Sequence, residues 1–321
     1  MFSTIIVPLD RSAFAESALP YAIEVARATG AAVRLALVHF PVWGTAEDVP
    51  TAIYDEAEAD IRRSESRYLD ELAGEIETRT GLDVRPQMLE GPIVPALREF
   101  TEASGGDIVV MSTHGHGGLK RAWLGSVTDG LLRHVTVPML IVRPRDDWVT
   151  GASHERADAA GHGATAAVPG TDDGSDHGSR PAFEPLGPEG LTHTLIAVDG
   201  STIANEAARR AGDLAVRCNA RVTLLRVVRP PLHLTSAYLP HIVRLNRDEL
   251  EQREAVATEH LHRLGSELRA NGAQVAERVV IDYHAADAIL REAADLGADL
   301  IAVGTHGRGG VRRLVIGSVA D

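Results

Sequence analysis

The chain has 321 residues, which suggests two domains, and its 44% apolar and 24% charged residues are ordinary for a globular protein. A net charge of −13 and only 4% aromatic residues argue against nucleic-acid binding, which uses clustered positive charge and stacking rings. One cysteine, Cys218, excludes an internal disulfide, and no apolar run reaches the roughly 18 residues of a membrane helix. A strand pattern begins at Thr4 with no leader pattern before it, so we expect a cytoplasmic protein without a membrane partner.

The first half of the chain alternates between apolar strand patterns and helical stretches. Strands are predicted at 4–9, 32–39, 82–89, 107–111 and 138–142. A helix is predicted at 12–29, with Ser12 as its N-cap and Gly30 as its stop, and further helices at 55–79, 93–103 and 126–134. Strands separated by helices of this length are typical of βαβ units, which predict a parallel sheet covered on both faces.

The sequence contains an internal repeat. Residues 111–121 recur as 303–313, and residues 124–127 recur as 316–319, with a constant offset of 192. The first strand, which ends in Asp10, recurs before Asp199 at the similar offset of 189. Two segments in the same order at nearly the same offset indicate a duplicated domain.

The second copy follows the plan of the first. Strands are predicted at 194–198, 221–228, 274–281 and 299–303, and helices at 202–217, 244–270 and 285–296. The helix and strand that follow Ser126 have no counterpart after Ser318, because the sequence stops at Asp321. We therefore predict an α/β fold of two tandem doubly wound, parallel, five-stranded sheets, with the second copy truncated at its carboxyl terminus.

Between the copies, the segment from about Asp146 to Gly190 is rich in Gly, Ala, Asp, Ser and Pro and has no hydrophobic period. Such a segment buries too little apolar surface to offset its ordering entropy, so a flexible linker is predicted. Its irregularly spaced histidines do not indicate a metal site. The predicted organisation is a first domain at 1–145, a linker at 146–191 and a second domain at 192–321 that lacks the last helix and strand.

In both copies, the fourth strand leads into a glycine-rich loop and then into a helix that starts at a Gly-Ser pair. Glycines let the backbone approach an anion closely, and the free N–H groups of a helix start favour negative charge, so this pattern predicts a phosphate site. Ser126 and Ser318 stand where a hydroxyl can cap the helix or bind a phosphate oxygen. A plain strand–turn–helix connection is the alternative. The P-loop pattern and a dinucleotide fingerprint after the first strand are both absent.

The pattern G-x2-G-x9-G-S/T at this loop resembles the nucleotide signature of ATP-binding universal stress proteins. The second copy matches it at every position, whereas the first has Ser112 in place of the first glycine. The resemblance implies a Rossmann-like fold, similar to that of the adenine nucleotide alpha hydrolases. It assigns an aspartate after the first strand and a valine at the end of the second to the adenine and ribose. The implied cofactor-binding residues are Asp10, Val38, Gly115, Gly125, Ser126, Asp199, Val227, Gly304, Gly307, Gly317 and Ser318.

The function implied is that of an ATP-binding regulatory protein of the stress response, with Mg²⁺ accompanying the nucleotide. In the family the fifth strand commonly pairs between domains or subunits, which implies a homodimer through the edge formed by 138–142. Asp10 and Asp199 have an alternative role as helix caps. A slow ATPase or phosphotransfer enzyme and a nucleotide-free interaction protein are the alternative functions. We assign no catalytic residue and no metal ligand. His114 and His306 could contact phosphate or act as bases, but a histidine beside a glycine in such a loop more often hydrogen-bonds the backbone, which is the role we expect.

Overall fold

The computed structural model describes residues 2–41, 51–113, 125–143, 190–230 and 240–304. The first domain contains a parallel sheet of five strands: β1 (Thr4–Leu9), β2 (Ala32–His39), β3 (Val84–Glu90), β4 (Ile108–Ser112) and β5 (Met139–Val142). They lie side by side in the order β3-β2-β1-β4-β5. Residues 144–189 lie outside the described residues, and they include most of the predicted linker at 146–191.

Helices cover both faces of this sheet. They are α1 (Ala13–Glu16), α2 (Leu19–Thr29), α3 (Thr51–Thr80), α4 (Ile93–Ala103) and α5 (Ser126–His134). Neighbouring residues of β1 point to opposite faces of the sheet. Ile5 packs into a core with α2 and α3, whereas Ile6 packs with residues of α4 and α5. The sheet is thus buried on both sides, as its continuous apolar strands require.

The structure has two helices where one was predicted at 12–29. The prediction of a continuous helix was therefore wrong at residues 17 and 18. Helix α1 ends at Glu16, and α2 starts at Leu19 with Pro20 in its first turn. Proline has no N–H group to continue the hydrogen-bond ladder, and its ring crowds the carbonyl four residues earlier. The predicted ends are confirmed: Ser12 accepts a hydrogen bond from the amide of Ala15, and Gly30 ends α2 with a φ of +73°.

The second domain repeats the arrangement with four strands within the described residues. The strands are β6 (His193–Ala197), β7 (Arg221–Val228), β8 (Val275–Ile281) and β9 (Leu300–Val303), in the order β8-β7-β6-β9. The helices are α6 (Thr202–Arg217), α7 (Pro240–Ala270) and α8 (Ala285–Leu296). The prediction of two tandem doubly wound parallel sheets, the second shorter, is confirmed. Helices α3 and α7 each begin four residues before their predicted starts.

The two domains meet where α2 lies against α6. Leu214 of α6 is only 6% exposed and belongs to the core cluster of the first domain. Cys218, which caps the end of α6, is half-buried and packs against the cores of both domains. Burial, together with the charge of Glu24, raises the pKa of this thiol to about 11. Cys218 is therefore an uncharged packing residue at neutral pH, not a nucleophile.

None of the helices in the described part of the chain combines the length and the apolar character needed to cross a membrane. Helices α3 and α7 have the length, at 30 and 31 residues, but both are rich in charged side chains. Their polarity is instead suited to covering one face of a sheet while facing water on the other side.

An aspartate at the start of the fourth strand fastens the amino edge of each sheet. The Oδ2 atom of Asp107 accepts hydrogen bonds from the amide and hydroxyl of Ser3, both at 2.6 Å, and from the amide of Thr4 at 3.1 Å. Asp299 repeats this contact with Thr192 and His193 at 2.7–2.8 Å. Each aspartate thus joins two strands that are about 100 residues apart in the sequence.

Burial raises the pKa of Asp107, but the hydrogen bonds from Ser3 and Thr4 outweigh burial and hold the pKa below its ordinary value of 3.8. A carboxyl group whose pKa is lowered by folding stabilises the fold above its unfolded pKa and loses this effect as the pH falls through the folded pKa. Asp299 follows the same rule in the second domain.

We predict that Asp107→Asn lowers the free energy of unfolding of the first domain by about 1–2 kcal/mol at neutral pH, because three donors lose a charged acceptor. The difference from wild type should shrink as the pH falls below 3.8. Urea unfolding across this pH range measures both effects. Asp83→Asn is the control. Among the described residues, the ion pair of the Asp83 carboxylate is with exposed Arg85, so this substitution should change stability by less than about 0.5 kcal/mol. Equal effects of the two substitutions would contradict the assignment.

Candidate functional site

The strand order of each sheet creates a crevice at the carboxyl ends of the strands. In the first domain, the chain moves from β1 to β2 and β3 on one side, and then crosses to β4 and β5 on the other side. The point of reversal lies between β1 and β4, and in the second domain it lies between β6 and β9. Ligands of open α/β sheets bind at such reversal points, where the loops diverge.

The aspartate after the first strand organises a tight turn on one side of this crevice. Oδ1 of Asp10 accepts hydrogen bonds from the amide of Ser12 at 3.0 Å and from its hydroxyl at 2.5 Å. The hydroxyl of Ser12 in turn caps α1. Arg11, between the two residues, has a φ of +67°, a conformation that favours glycine. Asp10 therefore holds the capping serine, and the residue itself is exposed at the edge of the sheet.

The second domain builds the same turn. Oδ1 of Asp199 accepts a hydrogen bond from the amide of Ser201 at 2.8 Å, and the hydroxyl of Ser201 caps α6 through the amide of Ala204. Gly200 takes the position of Arg11, with a φ of +85°. In both copies the serine, not the aspartate, is the helix cap, so the alternative in which Asp10 and Asp199 themselves cap the helices was wrong.

On the other side of the crevice, Gly125 joins the end of β4 to the start of α5. Its amide donates to the carbonyl of Thr113 at 2.7 Å, and a Cβ atom on Gly125 would lie 2.7 Å from the same oxygen. The φ of Gly125 is −64°, which any residue adopts, so a close approach of backbones requires glycine here, not a positive φ.

Ser126 is the first residue of α5 and is exposed, and Gly125 is the N-cap without a side-chain capping bond. The expectation that Ser126 caps the helix is thus not met. The residue that sequence reasoning missed is Thr128, whose buried hydroxyl donates to the carbonyl of Ser112 at 3.1 Å. No local pattern marks Thr128, because this bond depends on how α5 meets β4.

The valines near the ends of the second strands lie on the matching face in both domains. Val38 is half-buried and packs into the cluster of the α4–α5 face, while Val227 packs into the cluster that includes Ile289 of α8. Both residues lie within one or two positions of the ends of β2 and β7, next to the central strand. Their backbones therefore reach the same edge of the sheet as Asp10 and Asp199.

Gly304 follows β9 and lies against the first turn of α6. A Cβ atom at this position would be 3.2 Å from Cα of Ala204, tighter than ordinary contacts allow. Ala204 is the residue whose amide bonds to Ser201, so Gly304 meets the same turn that Asp199 holds. In the first domain the corresponding residue is Ser112, which ends β4 and is 5% exposed.

The described residues therefore bring Asp10, Val38, Gly125 and Ser126 to one edge of the first sheet. They bring Asp199, Val227 and Gly304 to the equivalent edge of the second. The remaining predicted site residues, Gly115, Gly307, Gly317 and Ser318, lie outside the described residues. Within the described ranges, no group of three His, Cys, Asp or Glu side chains is arranged to hold a metal ion.

A model of the universal stress protein family matches residues 1–143 and again residues 191–321, which together make up most of the chain. The chain belongs to the universal stress protein family. The two matches fall on the two halves that carry the repeated Asp10 and Asp199 turns. Tandem family domains account for the duplication recognised in the sequence.

Individual family members extend the match along the chain. A universal stress protein of Mycolicibacterium smegmatis is 26% identical over 326 residues and covers 99% of this chain and 92% of its own length. The universal stress protein YxiE of Bacillus subtilis is 30% identical over 132 residues, which are 39% of this chain and 86% of its own. The solved structure of a putative universal stress protein from Pseudomonas aeruginosa has a TM-score of 0.57 at 17% identity, covering 99% of this chain and 88% of that one. This last similarity shows the fold.

We predict that Gly125→Ala lowers the free energy of unfolding of the first universal stress protein domain by about 1–3 kcal/mol. The added methyl group would collide with the carbonyl of Thr113, and backbone moves less easily than a side chain. Gly74→Ala is the matched control, because Gly74 lies inside α3 with nothing within 4 Å of the added carbon, and it should stabilise by about 0.5–1 kcal/mol. Chemical unfolding of both variants measures the difference. A stable Gly125→Ala variant would contradict the close contact.

Proposed function

We propose that each domain binds ATP, accompanied by Mg²⁺, at the carboxyl edge of its sheet, and that the protein acts as a nucleotide-dependent regulator of the stress response in the cytoplasm. The main observation behind the proposal is that two features lie together where the strand order reverses, between β1 and β4. One is the exposed Asp10 turn, and the other is the start of α5 held tightly to β4. In the second domain, Asp199 holds Ser201 at the start of α6, and Gly304 lies against Ala204 in the first turn of the same helix.

The residues present suit a nucleotide. The first-turn N–H groups of α5 and the partial positive charge of the helix start favour phosphate oxygens. The carboxylates of Asp10 and Asp199 lie on the opposite side of the crevice, where ribose hydroxyls can donate to them. Val38 and Val227 offer an apolar surface and backbone groups to an adenine ring. Mg²⁺ would be bound mainly by the phosphates, for which the chain needs no ion site of its own.

The site residues in the glycine loops complete this proposal. Gly115 and Gly125 with Ser126, and Gly307 and Gly317 with Ser318, are the proposed phosphate cradle of each copy. The proposed domain limits are 1–145 and 192–321, with 146–191 as the linker, and the family matches at 1–143 and 191–321 support these limits.

We predict that the second domain binds ATP about tenfold more tightly than the first, because it has Gly304 where the first has Ser112. Calorimetry with ATP and Mg²⁺ on the full chain tests this, with Gly115→Val silencing the first site and Gly307→Val silencing the second. With the second site silenced by Gly307→Val, Ser112→Gly should strengthen ATP binding at the first site. With the first site silenced by Gly115→Val, Gly304→Ser should weaken ATP binding at the second site.

No heat of binding at millimolar ATP in the wild-type chain would overturn the nucleotide proposal. Binding that is equal in the two sites would leave that proposal standing and contradict only the role of Gly304. Analysis of the nucleotide recovered from the protein after incubation distinguishes a protein that holds ATP from a slow ATPase. Recovered ADP, with its formation lost on His306→Ala, would favour the enzyme.

We also propose that two copies of the chain associate through β5. Within the described residues, β5 is the edge strand of the first sheet and bonds only to β4, while its Met139 and Ile141 are half-buried. Such an apolar edge offers unpaired backbone groups to another strand.

We predict that light scattering gives the mass of a homodimer at tens of micromolar protein and that Ile141→Lys shifts it towards the monomer. A charge on an edge strand opposes pairing without removing a fully buried side chain. Arg85→Glu, which changes an exposed charge on β3 at the opposite edge of the sheet, is the control and should leave the dimer intact. A monomeric wild type would exclude this association.

A further inference from the structure

A buried histidine of the first domain lies between two carboxylates. His39 is the last residue of β2, and its side chain is 0% exposed. Nε2 lies 2.5 Å from Oε1 of Glu58, and Nδ1 lies 2.6 Å from Oε2 of Glu65. Both glutamates belong to α3, and their spacing of seven residues, about two turns, places them on one face of the helix.

This geometry fixes the protonation state of the ring. An ionised carboxylate only accepts hydrogen bonds, so a ring with a carboxylate at each nitrogen must carry a proton on both. His39 is then an imidazolium cation between two anions, and a charged group buried this deeply is tolerated only with such partners. The two carboxylates lie at opposite ring nitrogens, so a single metal ion cannot bind all three side chains.

Further charges extend the cluster across the sheet. Arg62, one turn from Glu58 on α3, donates to Oε1 of Glu58 at 3.1 Å and to Oε1 of Glu90 at 2.5 Å. Glu90 lies directly beside His39 in the pairing of β2 with β3. The charges that act on His39 directly are those of Glu65 and Glu58. On the α1 side, Glu16 accepts a hydrogen bond from Tyr68 of α3, and Asp10 bonds to Ser12.

The two halves of α3 are attached to the sheet in different ways. From Leu69 onward, apolar side chains anchor the helix in the core: Leu69, Leu72, Ala73 and Ile76 are at most 4% exposed. Among residues 55–68 no side chain is buried, and Tyr68, next to Leu69, is the residue that packs against the apolar core. The described side-chain hydrogen bonds of this half to the sheet are those to His39 and Glu90. The attachment of the amino-terminal half therefore depends on charge.

We propose that His39 is a proton-operated clamp, which fastens the amino-terminal half of α3 to the end of β2 when both ring nitrogens are protonated and releases it when one proton is lost. After that loss, a ring lone pair would face a carboxylate oxygen, and attraction at this contact becomes repulsion. The carboxyl-terminal half stays anchored by its buried leucines. This proposal does not depend on nucleotide binding.

The direction of the pH dependence follows from the surroundings of the ring. Burial lowers the pKa of His39, but the hydrogen bonds to Glu65 and Glu58 and their charges outweigh burial and raise the pKa above its ordinary value of 6.5. The clamp is therefore fully formed below pH 6.5 and is lost as the pH rises through the raised pKa.

His193 in the second domain is also buried, but its hydrogen-bond partners favour the neutral ring. Nδ1 of His193 donates to the carbonyl of Leu296 at 3.2 Å, and Nε2 accepts from the hydroxyl of Thr223 at 2.9 Å. These partners suit a neutral ring, and burial lowers the pKa of His193. At the position equivalent to His39, the second domain has Val228, 6% exposed in its core. The clamp thus belongs to the first domain alone.

The test is hydrogen exchange of the full chain, expressed as protection relative to an unstructured peptide, from about pH 6 to about pH 9. We expect protection of residues 55–68 to fall at least about tenfold as the pH rises. Residues 69–80 and helix α7 of the second domain should keep their protection. In His39→Gln, the protection of 55–68 should be low at every pH, because glutamine cannot become a cation. Protection of 55–68 that does not change with pH in the wild type would overturn the proposal.

¹⁵N NMR of the histidine rings in the wild-type protein measures their protonation directly and does not need a folded variant. At about pH 6, both ring nitrogens of His39 should carry protons, and the pKa of His39 should lie above 6.5. His193 serves as the internal control and should have one protonated nitrogen. A neutral His39 ring at this pH would place the proton on a glutamate and would overturn the clamp.

Discussion

The central position of the first strand is the constraint on which the rest of each domain depends. Because β1 pairs with β2 on one side and with β4 on the other, the chain has to cross over the sheet once, and that crossing opens the crevice between them. The crossing also places helices on both faces, which lets the central strand be apolar and buried from Ile5 to Leu9. Asp10 and Gly125 then lie at the same edge of the sheet as a consequence of strand order.

Aspartates form hydrogen bonds at both ends of this central strand. At the amino edge, Asp107 ties the first residues of the domain to the fourth strand, and at the carboxyl edge, Asp10 closes the turn into α1. Carboxylates are effective at both places because strand and helix starts present free N–H donors. The same pair recurs as Asp299 and Asp199, so the duplication preserved polar contacts as well as the apolar core.

The two domains share a backbone plan but differ at individual positions with physical consequences. Arg11 adopts a conformation that Gly200 adopts without strain, and Ser112 ends the strand whose counterpart is followed by Gly304. His39 holds α3 with charge, whereas the equivalent Val228 contributes to an apolar core. The proposed clamp would make the first domain respond to pH at a contact that the second domain lacks. The proposed nucleotide site of the second domain has Gly304 where that of the first has Ser112.

The sequence by itself determined the repeat, the alternation of strands and helices, and the helix ends at Ser12 and Gly30, because these features are written in local periodicity and capping residues. It also marked Asp10 and Gly125, although their contacts differ from the expected ones. Only the tertiary structure decided that Asp107 bonds to Ser3, that Gly125 meets the carbonyl of Thr113, and that His39 lies between two glutamates. These contacts join residues 12 to 104 positions apart in different elements, and local pattern carries no information on how one element is placed against another.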